Sequence, residues 1–236
     1  MSNNFFRFKQ FTVYQDRCAM KVGTDGTLLG AWATGGENIL DIGTGTGLIA
    51  LMMAQRYPEA NITAIDIDHE ACKQAEINFS ASPFAKRISI IRISLQDYGK
   101  LNNNGLYDAI VCNPPFFENS LLCPNDQRTI ARHAATLKYE ELFHGVRQLL
   151  TDDGIFSTIV PTNCLSRFEE AAYLCGLYRI NKCSIRTTPR KEPKRVLLKF
   201  SKNSEHERKT SEKSIDDGKG NRTNWYSDIT SEFYLK

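Results

Sequence analysis

The chain has 236 residues, 41% hydrophobic and 24% charged, with a formal net charge of +3. Such values suit one soluble globular domain with a sizeable core, and no apolar run approaches the ~20 residues that span a bilayer. Seven cysteines, an odd number without a C-x-x-C pair, give neither a zinc site nor a disulfide framework, so no metal is expected and the redox setting reads as cytoplasmic. The N-terminus lacks the basic-then-apolar pattern of a signal peptide. The charge is unevenly spread. Residues 37–120 carry six Lys/Arg against ten Asp/Glu, whereas residues 179–222 carry fourteen against six. A basic C-terminal third is compatible with a phosphate-backbone partner, although a solvated, partly disordered tail would look much the same.

Residues 5–14 alternate aromatic or aliphatic with polar side chains, a strand or hairpin pattern expected to cover a core edge. Residues 20–33 join a polar loop to a short helix that Thr24 or Asp25 is placed to cap. The central stretch is Asn38–Gly47, Asn-Ile-Leu-Asp-Ile-Gly-Thr-Gly-Thr-Gly. Ile39, Leu40 and Ile42 predict a buried strand, and Leu48, Ile49, Leu51, Met52 and Ala54 predict a helix. A strand, a glycine-rich turn and a helix bring backbone N–H groups close to a ligand, and glycine permits that approach because it has no Cβ. A dinucleotide fingerprint would place its third glycine at position 48. Position 48 is Leu48 and the glycine is Gly47, which disfavours a nicotinamide cofactor.

A helix over roughly 46–57 leads to a second strand, Ala60–Ile67. Asp66 lies nineteen residues past Gly47, and a carboxylate at such a strand end accepts from ribose hydroxyls in doubly wound folds. Ile67 follows it, and Asp68 is the expected cap of the next helix. Residues 88–93 form a third strand followed by a loop, Ser94–Tyr98, that contains Asp97. The fourth strand, Tyr107–Cys112, delivers Asn113-Pro114-Pro115-Phe116. Two prolines force the chain to turn at the strand's C-terminal end, where ligands bind in open α/β sheets. The Asn113 side-chain oxygen and the Pro114 carbonyl suit acceptance from a planar NH₂ group. Their bonds would orient its lone pair towards an electrophile and favour the developing positive charge, while Phe116 stacks on the ring.

Residues 117–136 lack periodicity and read as a substrate-facing loop, with Arg128 and Arg132 offered to phosphates or a base. Tyr139 to Leu150 then define an amphipathic helix expected to stop at Asp153-Gly154. A fifth strand covers Ile155–Val160, a helix roughly 163–175, and two adjacent strands Tyr178–Thr187 and Arg195–Ser201. The proline-bounded basic loop between these strands holds Arg190, Lys191 and Lys194, read as either a solvated turn or an RNA clamp. Residues 202–224 are polar and expected to be flexible.

Asp41–Gly47, Asp66, Asp97 and Asn113–Phe116 together resemble the class I S-adenosylmethionine-dependent N6-adenine methyltransferases. The resemblance implies a Rossmann-like α/β fold with a seven-stranded, mostly parallel sheet in order 3-2-1-4-5-7-6, strand seven antiparallel and helices on both faces. It implies S-adenosyl-L-methionine as cofactor, contacted by Asp41, Gly43, Thr44, Gly45, Gly47, Asp66, Ile67 and Asp97, and by an upstream segment with Lys21, Thr24 and Asp25. Phe8–Val13, Lys21–Gly26, Ala131–His133, Arg195–Leu198 and Phe233–Leu235 are similar to bacterial tRNA methyltransferases acting on N6 of the adenosine 3′ of the anticodon in valine tRNA, which implies a tRNA partner. Methyltransferases of DNA adenine, of guanine N2 in ribosomal RNA and of release-factor glutamine share the Asn-Pro-Pro-aromatic motif, and a catalytically silent RNA-binding module is a further alternative. The expected organisation is a strand or hairpin with the cofactor-contacting segment over 1–34, the methyltransferase domain over 35–201, a flexible segment over 202–224, and residues 225–236 docking back. The oligomeric state is open, with a monomer the default.

Overall fold

Residues 4–18, 21–102, 105–114 and 137–235 are described by a computed structural model. Eight strands form one sheet. Its centre is parallel: β3 (Asn38–Ile42) lies between β4 (Asn61–Asp66) and β6 (Tyr107–Cys112), with β5 (Ile88–Arg92) beyond β4 and β7 (Leu150–Pro161) beyond β6. Then β9 (Arg195–Ser201) runs antiparallel between β7 and β8 (Tyr178–Arg186). The expected seven-strand order is therefore present. An eighth strand, β10 (Lys209–Ser214), pairs parallel to β8 at the edge, where a flexible segment was expected.

Central strands read as unbroken apolar runs because both faces are covered. On one face Ile39, Ala109, Val111 and Leu197 pack with α1 (Thr24–Trp32), α2 (Leu48–Arg56) and α3 (His69–Ser80). On the other, Leu40, Ile42, Ile110, Leu198 and Phe200 pack with α4 (Leu95–Leu101), α5 (Tyr139–Leu149) and α6 (Leu165–Leu174). Two local expectations are corrected. Asp153-Gly154 does not end the helix, because α5 stops at Leu149 and β7 begins at once. The pairs Tyr107–Leu150 and Ala109–Ile155 flank a bulge that absorbs the polar residues between them. The loop after β5 is instead α4, capped by Ser94, whose hydroxyl accepts from Asp97 N–H at 3.1 Å.

The chain ends meet. Strands β1 (Phe5–Arg7) and β2 (Thr12–Tyr14) form a separate hairpin rather than joining the main sheet. α7 (Asn224–Thr230) leads to Phe233, whose carbonyl accepts from Lys9 N–H at 2.8 Å, and to Tyr234, whose ring stacks on Phe8. No helix among the described residues is long and apolar enough to cross a membrane.

Phe143 is fully buried, its ring 4.7 Å from Phe168, 5.4 Å from Phe200 and 5.9 Å from Phe156 between centroids. Phe143→Ala leaves a cavity among rings that cannot all collapse into it. A loss of about 3–5 kcal/mol is expected, read as a lower urea midpoint at unchanged slope.

Candidate active site

Three parallel strands end side by side. Ile42 is in register with Ile65 on one side and Cys112 on the other, so the next residues, Asp66, Gly43 and Asn113, stand in a row at the C-terminal edge of the sheet. Asp66 and Asn113 are two strand spacings apart, roughly 10 Å.

The turn after β3 is held by its own amides. Gly43 N–H and Thr44 N–H both donate to the Ile65 carbonyl at 2.9 and 3.1 Å, Gly45 N–H to Asp66 Oδ2 at 2.9 Å, and Gly47 N–H to the Thr44 carbonyl at 2.9 Å. Gly47 has φ +82°, and a Cβ there would stand 2.4 Å from the Phe79 ring. No other residue fits. Four of the turn's N–H groups are thus consumed within the protein. The buried side-chain atoms left without a partner at this edge, among the described residues, are the oxygens of Asp41 and Asn113.

Asp41 is fully buried beneath the turn. Its Oδ2 accepts from Thr44 Oγ1 at 2.6 Å and from Ala50 N–H at 3.2 Å, whereas its buried Oδ1 has no partner among the described residues. Burial pushes the carboxyl up to about 7, against the pull of the Thr44 and Ala50 hydrogen bonds, and the Asp66 charge adds to the rise. Asn113, half-buried, likewise holds a buried side-chain oxygen without a partner among the described residues, and Pro114 behind it is buried.

Asp66 turns Oδ2 to Gly45 and accepts from Asp68 N–H through Oδ1 at 2.9 Å. Beside it Ile67 is 52% exposed, an apolar surface at the strand's end. Asp68 caps α3 as expected, accepting from Ala71 N–H at 2.8 Å. Asp97 lies on the exposed first turn of α4, where the Lys100 ammonium and Ser94 hydroxyl, each 2.8 Å away, hold its carboxyl below the usual range. Lys21 is exposed. Neither Thr24 nor Asp25 caps α1; Gly23 occupies that position without a side-chain cap. Asp25 Oδ2 instead accepts from Arg195 Nε at 2.7 Å, tying α1 to the start of β9. Arg190, Lys191 and Lys194 are exposed on the β8–β9 loop at this same edge. Pro115, Phe116, Arg128, Arg132 and His133 lie outside the described residues.

One organising residue was not singled out from the sequence. Asn78 of α3 is fully buried, exchanges hydrogen bonds with the Tyr14 backbone at 2.8 and 2.9 Å, and donates to the Thr46 carbonyl at 2.8 Å. It fastens the N-terminal hairpin to the glycine turn. Its signal was a polar residue next to Phe79 on an apolar helix face.

Asp41 makes stability pH-dependent in a definite direction. Its folded value of about 7 exceeds the ordinary 3.8. Native protein therefore keeps a proton that the unfolded chain releases, and stability falls as pH rises through that window. Asp41→Asn cannot titrate. Its stability relative to wild type should improve by roughly 2–4 kcal/mol between about pH 4 and pH 8, measured by denaturant unfolding without cofactor. Parallel stability profiles for the two proteins would show that Asp41 ionises in the fold at no cost.

Residues 27–160 match the model of the family described as "Methyltransferase small domain". Three relatives carry the name tRNA1(Val) (adenine(37)-N6)-methyltransferase. That of Phocaeicola vulgatus is 48% identical and that of Bacteroides thetaiotaomicron 46%, each alignment covering 100% of this chain and 99% of the relative. That of Flavobacterium johnsoniae is 42% identical over 98% of this chain and 99% of its own. Among solved structures, a predicted O-methyltransferase of Agrobacterium tumefaciens aligns with TM-score 0.69 at 17% identity, over 89% of this chain and 96% of its own. The P. horikoshii TYW2 structure in complex with MeSAdo aligns at 0.57 with 15% identity, over 84% and 71%. At such identities the likeness concerns the fold alone.

Proposed function

The chain belongs to the methyltransferase small-domain family, within the tRNA1(Val) (adenine(37)-N6)-methyltransferases, and from that premise we propose that it methylates N6 of adenosine 37 in valine tRNA with S-adenosyl-L-methionine. The observation that carries this reading is the site's polarity. Four turn amides are already bonded inside the protein, so they offer nothing to a pyrophosphate, while Asp41 Oδ1 and Asn113 Oδ1 are buried oxygens without a partner among the described residues, and Asp41 Oδ1 is an acceptor once its carboxyl ionises. A buried acceptor without a partner costs about 1–3 kcal/mol. The ligands that relieve that cost bring N–H groups or positive charge, as an ammonium–sulfonium cofactor and an exocyclic amine do.

In this reading Asp41, Gly43, Thr44, Gly45 and Gly47 line the cofactor's amino-acid end. Asp66 takes its ribose, Ile67 and Asp97 its adenine, and Lys21, with Thr24 and Asp25 at the start of α1, closes the pocket. Asp97 must share its carboxylate with Lys100, and Asp25 with Arg195. When bound, the cofactor supplies an electrophilic methyl group on a sulfonium. Asn113 Oδ1 and the Pro114 carbonyl accept from the adenine NH₂, turning the nitrogen lone pair out of conjugation and towards that methyl. Pro115 stiffens the turn and Phe116 stacks on the base. As the N–C bond forms, the methyl carbon's bond to sulfur would break with its electron pair going to sulfur, which leaves as a neutral thioether; the nitrogen would become positive, and the two oxygens would stabilise it. The nitrogen then releases a proton to water without a strong general base. Arg128, Arg132, Arg190, Lys191 and Lys194 are the cations this reading offers to the RNA backbone. An adenosine in a loop is unstacked into such a pocket more cheaply than a paired base.

Purified protein with labelled S-adenosylmethionine should label total tRNA as N6-methyladenosine in a valine acceptor. Ribosomal RNA, duplex DNA and a release factor should stay unlabelled. Label in one of those would keep the amine chemistry and overturn the substrate. Asn113→Ala should cut kcat by about 10²–10³-fold with cofactor Kd nearly unchanged. Asp66→Ala should raise cofactor Kd about tenfold or more, because it also releases Gly45. Equal loss of cofactor affinity in both variants would show that Asn113 holds cofactor rather than substrate.

A further inference from the structure

The segment Arg186–Arg195 carries five cations in ten residues, and the structure uses them in two ways. Both terminal arginines are spent on the fold. Arg186 pairs through Nε and Nη2 with the two carboxylate oxygens of Glu212 on β10, at 2.7 and 3.1 Å, and donates Nη1–H to the Lys191 carbonyl at 2.8 Å. Arg195 pairs with Asp25 of α1 at 2.7 Å and donates Nη1–H to the Lys194 carbonyl at 3.1 Å. Each thus joins a carboxylate of another element to a carbonyl inside the loop. Asp216 N–H donates to the Thr187 carbonyl at 3.0 Å, and Thr162 donates its N–H to Lys194 and its hydroxyl to Pro193 at 3.2 and 2.8 Å. Pro189 and Pro193 restrict the backbone further. The three inner cations, Arg190, Lys191 and Lys194, are exposed and form no ion pair among the described residues. Glu192 is the single anion among them.

We propose that residues 187–194 form a preformed ridge for the phosphate backbone of the RNA substrate. Arg190, Lys191 and Lys194 contact phosphates there, and the Arg186–Glu212 and Arg195–Asp25 pairs are positioning residues. This deepens the functional reading above and rests on it. A solvated loop would have no use for two arginines and a docked strand edge to order it, whereas binding gains from order established in advance, since less freedom is lost on association. The location fits. β9 starts beside Pro161 at the end of β7, two strand spacings, roughly 10 Å, from the Asn113 strand. The acidic 37–120 half would repel the same backbone, so the ridge also sets the side from which RNA approaches.

The test uses the full-length protein, an unmodified valine tRNA transcript, the triple variant Arg190→Ala/Lys191→Ala/Lys194→Ala, and Glu212→Gln. Titrations between about 50 and 200 mM salt should give the triple variant a tRNA Kd about tenfold or more above wild type. Its log Kd–log salt slope should be shallower by about 2, with cofactor Kd and thermal midpoint unchanged. Glu212→Gln keeps all three cations, so it should raise the KM for tRNA about threefold while the salt slope and kcat stay. A wild-type Kd and slope in the triple variant would overturn the ridge, and so would loss of kcat at constant KM. Binding to phosphatidylserine vesicles that the triple variant loses, with tRNA binding intact, would reassign the surface to a membrane and equally overturn it. Wild-type protein that neither binds nor methylates tRNA would be a different failure, that of the functional reading itself, and would take this inference with it.

Discussion

A buried carboxylate with one oxygen unpartnered among the described residues is the constraint around which this molecule is arranged. Asp41 sits beneath the turn that α2 grows from, so its one satisfied oxygen is used to shape that turn through Thr44 and Ala50. The turn can bend so tightly because its glycines take left-handed backbone angles. It stays bent because β4 supplies the Ile65 carbonyl and the Asp66 carboxylate to its amides. Strand, turn and neighbouring strand therefore form one hydrogen-bonded unit. In phosphate-binding turns the backbone N–H groups point at an anion. Here four of those N–H groups are bonded within the protein instead.

Legibility followed burial. The central strands, the glycine turn and the Asn113-Pro114 corner could be read because deep burial leaves an apolar pattern and special backbone angles leave glycine and proline. β10 could not be read, since Lys-Thr-Ser-Glu-Lys-Ser is an exposed edge strand with no apolar face to show a period. Its register comes from backbone bonds to β8 and from Arg186–Glu212, both long-range. α4 was missed for a related reason: seven residues with only Leu95, Tyr98 and Gly99 buried give too little periodicity, although Ser94 three places before Asp97 was a capping signal. Thr24 and Asp25 misled in the other direction. Both have good capping chemistry, but Arg195 claims Asp25 from 170 residues away, and no local rule contains that partner.

The hairpin and the C-terminal segment explain why similarity to the relatives runs to both ends of the chain. Phe8 and Phe11 pack against each other, Phe6 and Phe8 against Tyr234, and Gln55 of α2 donates to the Glu232 carbonyl at 2.9 Å. Distant in sequence, these segments are a single aromatic cluster in space, and one side of it reaches the glycine turn through Asn78. Losing one side of the cluster would free a hairpin whose other side is bonded to Asn78, which in turn donates to the Thr46 carbonyl, so the consequence would arrive at the glycine turn rather than stop at the surface. Two strands of three residues are too short to hold together alone. Their order is borrowed from the closing residues, and the turn's order is borrowed in part from them.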